Sequence, residues 1–451
     1  MIPVLLPSEM AAVDAAAPEP LEVLVERAGA AVAHEALDLL GGAYGRRVVV
    51  LAGKGNNGAD GRSAASRLRR RGARVDVIDA LGAPPRLPAA DLVIDAAYGT
   101  GFRGHYDAPD PGGAPVLAVD IPSGVDGQTG EAAGSVLFAL RTVTFAALKP
   151  GLLLQPGRSL AGELVVADIG LDVSGARAGV VERSDVARWL PERSVDAHKW
   201  QAAVLVVAGS PGMTGAAHLA AAAAQRTGAG MVRVATPGAE DDPGRPLEAV
   251  AVRLPEEGWA GAVTRDLEQF QALVIGPGLG RAPGTQDGLR LVVAASTVPT
   301  VVDGDALSAL GRDAASVLAD RPAATVLTPH DGEFRRLTGA DPGADRFAAA
   351  RSLAAATGAV VLLKGASTIV ADPTGTVRVV TSGDARLATA GTGDVLSGII
   401  GALLARGLPA ADAAAAGAWL HGCAAAHGPS VGLVAGDLPG LLPSALAELR
   451  P

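Results

Sequence analysis

Ala203-Val204-Leu205-Val206-Val207-Ala208-Gly209-Ser210-Pro211-Gly212-Met213-Thr214-Gly215-Ala216-Ala217 passes from unbroken apolar residues through a glycine-rich turn into the helical pattern Ala216–Arg226. Continuous rather than alternating apolarity marks a strand buried on both faces, as in a parallel sheet. The stretch therefore reads as strand, glycine loop, helix. The same order recurs on both sides of it: Val48–Leu51 before Gly53, Leu92–Ile94 before Asp95, and Val116–Val119 before Asp120. Further on come Leu273–Ile275 before Gly276, Val301-Val302 before Asp303, Val326-Leu327 before Thr328, and Val360–Leu363 before Lys364. Helical patterns such as Arg62–Arg71 lie between several of them. The predicted class is α/β, in which ligands collect at the carboxyl ends of the strands. The polar tips stand at those ends.

A chain of 451 residues has room for roughly two to four domains. Only 3% of it is aromatic, so Ala, Val and Leu must do the packing, and the runs Ala220–Ala224 and Ala410–Ala416 read as tightly packed helices. The segment Leu171–Gly179 loses the strand pattern and gains small and polar residues, which places a boundary near 172–180. Chemistry-bearing loops on both sides of it predict two catalytic domains, residues 1–178 and 179–451. The net charge of −9 argues against a nucleic-acid or anionic-membrane partner. Cys423 is the sole cysteine, which excludes an intrachain disulfide and a Cys-based metal site. Met1–Pro20 has no basic n-region and no run reaches the length of a membrane span. The expectation is a soluble, cytoplasmic protein.

Gly391-Thr392-Gly393-Asp394 precedes Leu396, Ile399, Ile400, Leu403 and Leu404 at helical spacing, so a helix is expected at or just after Asp394. Glycine amides and a helix N-terminus together attract an anion. A carboxylate beside such a site suits a base that takes a hydroxyl proton while the amides hold a phosphoryl group. The plain alternative is a glycine turn with a capping Asp. In the first half, Gly53-Lys54-Gly55-Asn56-Asn57-Gly58-Ala59-Asp60-Gly61, the Asp95–Phe102 segment and Asp120-Ile121-Pro122-Ser123-Gly124 each stand at the end of a strand, so all three can converge on one crevice. Amides there suit a phosphate, and Asn oxygens suit a hard cation. The glycine spacing is not a dinucleotide fingerprint, since no ribose-binding acid is placed. In the second half Lys364 ends a buried strand beside a glycine, as a phosphate-binding charge would. His330, between Pro329 and Gly332, is placed either for a ligand or as a structural histidine.

The first-half motifs, with Thr142–Phe145 and Lys149-Pro150-Gly151, resemble the NAD(P)H-hydrate epimerase domain over residues 5–170. That resemblance implies a Rossmann-like three-layer domain and a K⁺ ion held by Asn57, Asp95 and Ser123. It implies substrate contacts at Asn56, Asn57, Gly58, Ala59 and Asp60, at Gly99, Thr100, Gly101, Phe102, Arg103, Gly104 and His105, and at Asp120, the candidate acid/base. Two features depart from the family: Ala59 stands where Gly is usual, and the span between Gly104 and Pro115 is too short for the customary helix. A Cβ at position 59 fits only where the backbone does not need a positive φ.

Over residues 180–448 the motifs resemble the NAD(P)H-hydrate dehydratase domain of the ribokinase-like superfamily, with Trp200 where a glycine is common. The resemblance implies nucleotide contacts at Lys364, Gly365, Ala366, Ser367, Thr368 and Gly393, and hydrate contacts at Ala216, Gly278, Gly280, His330 and Asp394. The fused pair resembles the bifunctional NAD(P)H-hydrate repair enzymes, a metabolite-repair family with isomerase and lyase activities. The implied substrates are NADHX and NADPHX with ADP, or ATP, as donor, Mg²⁺ carried mainly by phosphates, and assembly as a homo-oligomer. Two other readings stay open: a small-molecule kinase in the second half, and a non-catalytic nucleotide-binding module in the first.

Overall fold

The structure, a computed structural model, describes residues 1–239, 242 and 244–449. The chain divides into two compact units, Ile2–Ala178 and the chain from Gly179 onward. In the first unit β1 (Ile2–Val4), beside Leu148, is followed by α1 (Pro7–Ala16), α2 (Leu21–Leu40), β2 (Arg47–Ala52), α3 (Asn56–Arg70) and β3 (Arg74–Asp79). Then come β4 (Leu92–Ala96), β5 (Val116–Val119), β6 (Arg141–Phe145), α4 (Gly157–Ala161) and β7 (Glu163–Ala167). The sheet order is β3-β2-β4-β5-β6-β7, parallel throughout. One apolar cluster packs α2 and α3 on one face of it, and a second cluster covers the other face. The order reverses between β2 and β4, where a crevice opens at the strand ends.

The predicted loop Gly53–Gly61 is shorter than its glycines imply. Helix α3 already begins at Asn56, so Asn57, Gly58, Ala59 and Asp60 are helical. Gly58 serves close approach: a Cβ there would stand 1.9 Å from the Gly53 carbonyl oxygen. Ala59 has no positive φ, since among the described residues only Asp120 and Ala146 do so without being glycine. Its Cβ is accommodated in ordinary helix. The 104–115 span carries no helix.

The second unit contains β8 (Ala178–Val180), α5 (Arg183–Trp189), β9 (Ala203–Val207), α6 (Gly215–Arg226), β10 (Met231–Pro237), β11 (Val250–Leu254) and α7 (Trp259–Arg265). Next are β12 (Ala272–Ile275), α8 (Pro283–Ala295), β13 (Thr300–Val302), α9 (Asp305–Leu310), α10 (Ala314–Leu318), β14 (Thr325–Leu327), α11 (Asp331–Thr338) and α12 (Arg346–Thr357). The unit closes with β15 (Val360–Leu363), β16 (Thr368–Ala371), β17 (Val377–Val380), α13 (Thr392–Ala405), α14 (Ala410–His427) and α15 (Leu438–Ala447). Its sheet runs β8-β17-β16-β15-β14-β13-β12-β9-β10-β11. The strands from β15 through β9 to β11 are parallel, whereas β16 and β17 are antiparallel additions. Small residues let the helices press together: a Cβ on Gly398 of α13 would lie 2.1 Å from the Ala220 carbonyl oxygen of α6. The Ala-rich runs accordingly lie in buried helices of the core.

Two candidate active sites

At the reversal point of the first sheet lies a cavity of about 850 Å³, within the size range of small-molecule sites. Asn56, Asn57, Asp60, Gly99, Thr100, Gly101, Phe102, Arg103 and Asp120 line it, together with Asp14 and Lys149. Gly58 and Ala59 support that wall from inside α3, while Gly104 and the exposed His105, paired with Asp107 at 3.0 Å, fall outside the lining.

Asp120 follows β5 at φ 67°, a conformation that a non-glycine residue holds only when its surroundings enforce it. Both its oxygens are engaged. Lys149 Nζ lies 2.7 Å and Thr144 Oγ1 3.3 Å from Oδ1, and Thr100 donates to Oδ2 from its amide at 3.1 Å and its hydroxyl at 2.5 Å. Burial alone would raise this carboxyl, but the Lys149 ammonium and these hydrogen bonds hold it below the ordinary carboxylate range. Asp60 behaves oppositely. Burial, then the negative charges of Asp120 and Asp14, push it up to about 8. Asp14 is also raised, chiefly by burial.

Asp95, 1% exposed, accepts from the Ser123 hydroxyl at 2.6 Å and the Ser123 amide at 2.9 Å. Burial raises its carboxyl despite those bonds. Both side-chain polar atoms of Asn57 are buried without a hydrogen-bond partner. The unpartnered Asn57 carbonyl oxygen and the Ser123–Asp95 hydroxyl–carboxylate pair are oxygen donors of the kind a hard cation takes.

In the second unit α13 starts at Thr392, with Gly391 at φ 91° before it. Asp394 therefore sits inside the first turn rather than before it, and its helix has no side-chain cap bond. Facing it is Asp303 at the end of β13, which receives Lys364 Nζ at 2.9 Å, Thr328 Oγ1 at 2.7 Å and Ser397 Oγ at 2.8 Å. Lys364 also lies 3.6 Å from Glu333. A Cβ on Gly393 would stand 3.5 Å from Lys364 Nζ, so glycine keeps the helix start open toward the lysine. Burial, then Asp303 above Lys364's opposing effect, pushes Asp394 up to about 7. Burial would raise Asp303 too, yet Lys364 and its hydrogen bonds keep it low.

His330 caps α11, its Nδ1 accepting from the Gly332 and Glu333 amides at 3.0 and 3.4 Å, and lies 3.6 Å from Glu333. The structural role and proximity to the cluster thus coexist in one residue. Ala216 and Gly278 adjoin, a Cβ on Gly278 falling 3.0 Å from that of Ala216, and the Gly280 amide donates to Asp305 at 2.8 Å. Lys364, Gly365, Ala366 and Ser367 form the turn from β15 into β16, with Thr368 starting β16. Arg346 braces that turn through the Lys364 carbonyl at 2.8 Å.

A family model described as NAD(P)H-hydrate dehydratase matches residues 204–445, and one described as YjeF-related protein N-terminus matches residues 21–88 and 78–151. The bifunctional NAD(P)H-hydrate repair enzyme of Moorella thermoacetica is 39% identical over 497 aligned positions, covering 96% of this chain and 93% of that protein. The chain belongs to the bifunctional NAD(P)H-hydrate repair enzyme family. The family member from Mycobacterium tuberculosis H37Rv is 41% identical, covering 83% of this chain and 82% of its own. A solved structure of the ADP/ATP-dependent NAD(P)H-hydrate dehydratase from Bacillus subtilis, co-crystallised with ATP/Mg²⁺, superposes with a TM-score of 0.52 at 32% identity. It covers 60% of this chain and 98% of that one.

Within this family member, sequence reasoning left several groups of the two clusters without a role. Lys149 stands in the Lys149-Pro150-Gly151 motif with no local signal of a charge partner, yet it is 1% exposed and bound to Asp120. Asp303, Glu333 and Ser397 form the surroundings of Lys364. Asp303 carries the signal that flagged Asp95 and Asp120, a carboxylate ending an apolar run. Asp14, on a helix with little amphipathic pattern, carries none.

Proposed function

We propose that this chain returns hydrated NADH and NADPH to the reduced dinucleotides, residues 1–178 interconverting the R and S hydrates and residues 179–451 dehydrating the S hydrate. Family membership supports the pair of activities. The single observation that carries the chemistry is the place of Asp394 in the first turn of α13, where Gly393 leaves the helix start open toward Lys364; burial and Asp303 push its carboxyl up to about 7. The hydrate bears a hydroxyl on the ring carbon next to nitrogen, and hydroxide is a poor leaving group. Asp394 takes the hydroxyl proton as that oxygen attacks the terminal phosphoryl of ADP or ATP. Amides of Gly391–Gly393 and the Lys364 ammonium hold the migrating phosphoryl. The ring nitrogen then expels phosphate and the double bond returns, leaving AMP if ADP is the donor.

Asp303, Glu333 and Asp394 outnumber Lys364, so the cluster suits Mg²⁺ arriving with the nucleotide, where it would neutralise phosphate charge. Ala216, Gly278, Gly280 and His330 are assigned to the hydrate, and Lys364 to Thr368 with Gly393 to the nucleotide. In the first unit Asn57, Asp95 and Ser123 are assigned to K⁺, which would fix the start of α3 against β4. The remaining cavity residues hold the dinucleotide. Among the described residues no helix is long and apolar enough to cross a membrane. A cytoplasmic homo-oligomer completes the proposal, and sedimentation reads its assembly state.

The test is product identity with purified S hydrate and each nucleotide. Inorganic phosphate together with recovered reduced-nicotinamide absorbance is expected. Accumulation of a stable phosphoester without that absorbance would establish the kinase reading instead.

A further inference from the structure

We infer that Asp60 is the proton donor to the departing hydroxyl in the first-unit cavity, with Asp120 as its ionised partner. The inference rests on the epimerase reading of that cavity. The division of labour follows from how the two carboxyls are held. Asp120 has four hydrogen-bond donors on its two oxygens, one of them an ammonium. It is committed as a carboxylate. Asp60 lines the same cavity at 7% exposure, and among the described residues it has no hydrogen-bond donor and no ion pair. Its oxygens open onto the cavity and no protein group donates to either, so nothing in the surrounding protein offsets the cost of a charge there and the protonated form is favoured.

The charged neighbours agree. Asp14 on α1 adds negative charge to the cavity, whereas Glu19 before α2 is paired with Arg27 at 3.1 Å and Glu26 on α2 is bound to Ser63 and Arg67 of α3. The positive groups are Lys149, taken by Asp120, Lys54 ahead of α3, and Arg103, which lies 3.8 Å from Asp126. The pKa of about 8 that results for Asp60 leaves it protonated at neutral pH.

The step balances. The ring-nitrogen lone pair forms a C=N bond as the adjacent C–O bond breaks, and the leaving oxygen takes the Asp60 proton and departs as water. Water then adds to the other face of the iminium, a C–O bond forms, and the C=N π pair returns to nitrogen. The proton shed goes back to the Asp60–Asp120 pair.

The experiment uses the full chain with one hydrate epimer and no nucleotide, and follows the other epimer. Asp60→Asn is expected to lower kcat of exchange by roughly 10²–10⁴-fold, with any rise in KM much smaller than that loss and dehydration of the S hydrate intact. Asp60→Glu is expected to recover part of the loss. Independently of any variant, wild-type exchange is expected to fall as pH rises through about 8, because the acid form does the work. Near-normal kcat in Asp60→Asn, a loss confined to KM, or a wild-type profile flat through that pH overturns the inference while leaving the epimerase reading standing. Absence of exchange by the wild-type chain removes that reading itself.

Discussion

Asp394 lies among carboxylates at Asp303, Asp305 and Glu333, with Lys364 the opposing charge, and burial does most to raise it to about 7. A base works deprotonated, so kcat/KM for dehydration should rise with pH through about 7 and then level. Asp394→Asn keeps the size and the helix start but cannot take a proton. The expected loss is roughly 10²–10⁴ in dehydration rate, with the pH dependence abolished and exchange of the hydrates unchanged. A variant with near-normal dehydration would return Asp394 to a structural role. At this scale the sequence disclosed the motif but not its company. Gly391–Asp394 stood out because two glycines precede an apolar helix. Its partners Asp303 and Lys364 lie far off in the chain, and only the sheet order, which brings β13, β14 and β15 side by side, joins them. The helix start was also misplaced, because Thr392 and Gly393 are weak helix formers that only the packed context makes helical.

The elements best disclosed by sequence are the central parallel strands, whose two buried faces leave an unbroken apolar run. Strands with one wetter face escaped. In β3 the pattern Arg74-Val75-Asp76-Val77-Ile78-Asp79 alternates, and β10 carries Arg233. The antiparallel β16 and β17 gave no βαβ signal and were missed for that reason. Helix α3 supplies this scale's prediction. Its approach to β2 requires Gly58, since a Cβ there meets the Gly53 carbonyl. Gly58→Ala should therefore destabilise the first unit by about 1–3 kcal/mol, the usual cost of overpacking, and impair exchange while sparing dehydration. Ala59→Gly, one residue on, should cost only about 0.5–1 kcal/mol through helix propensity and leave exchange nearly normal. Thermal unfolding with both assays separates the two. Equal behaviour of the pair would mean that close packing is not what Gly58 provides.

Each unit has its own sheet, its own apolar core and its own cluster of perturbed acids, so the two activities should fail separately. Low aromatic content made the packing mode legible in advance: alanine and glycine faces let α6, α13 and α14 approach at backbone distance. The separation of activities was legible only as two sets of strand-end motifs. The central claim is that one chain clears both hydrate epimers, the first site feeding the second. Its most direct test is a mixture of R and S hydrates given ADP and Mg²⁺, with recovery of reduced-nicotinamide absorbance followed to completion. The wild-type chain is predicted to recover the whole mixture. Asp95→Ala, which removes the carboxylate of the Asn57–Asp95–Ser123 set, is predicted to recover the S fraction at the normal rate and then slow to spontaneous exchange. If the wild-type chain also stops at the S fraction, or if Asp95→Ala loses both phases together, two independent sites acting in sequence are contradicted.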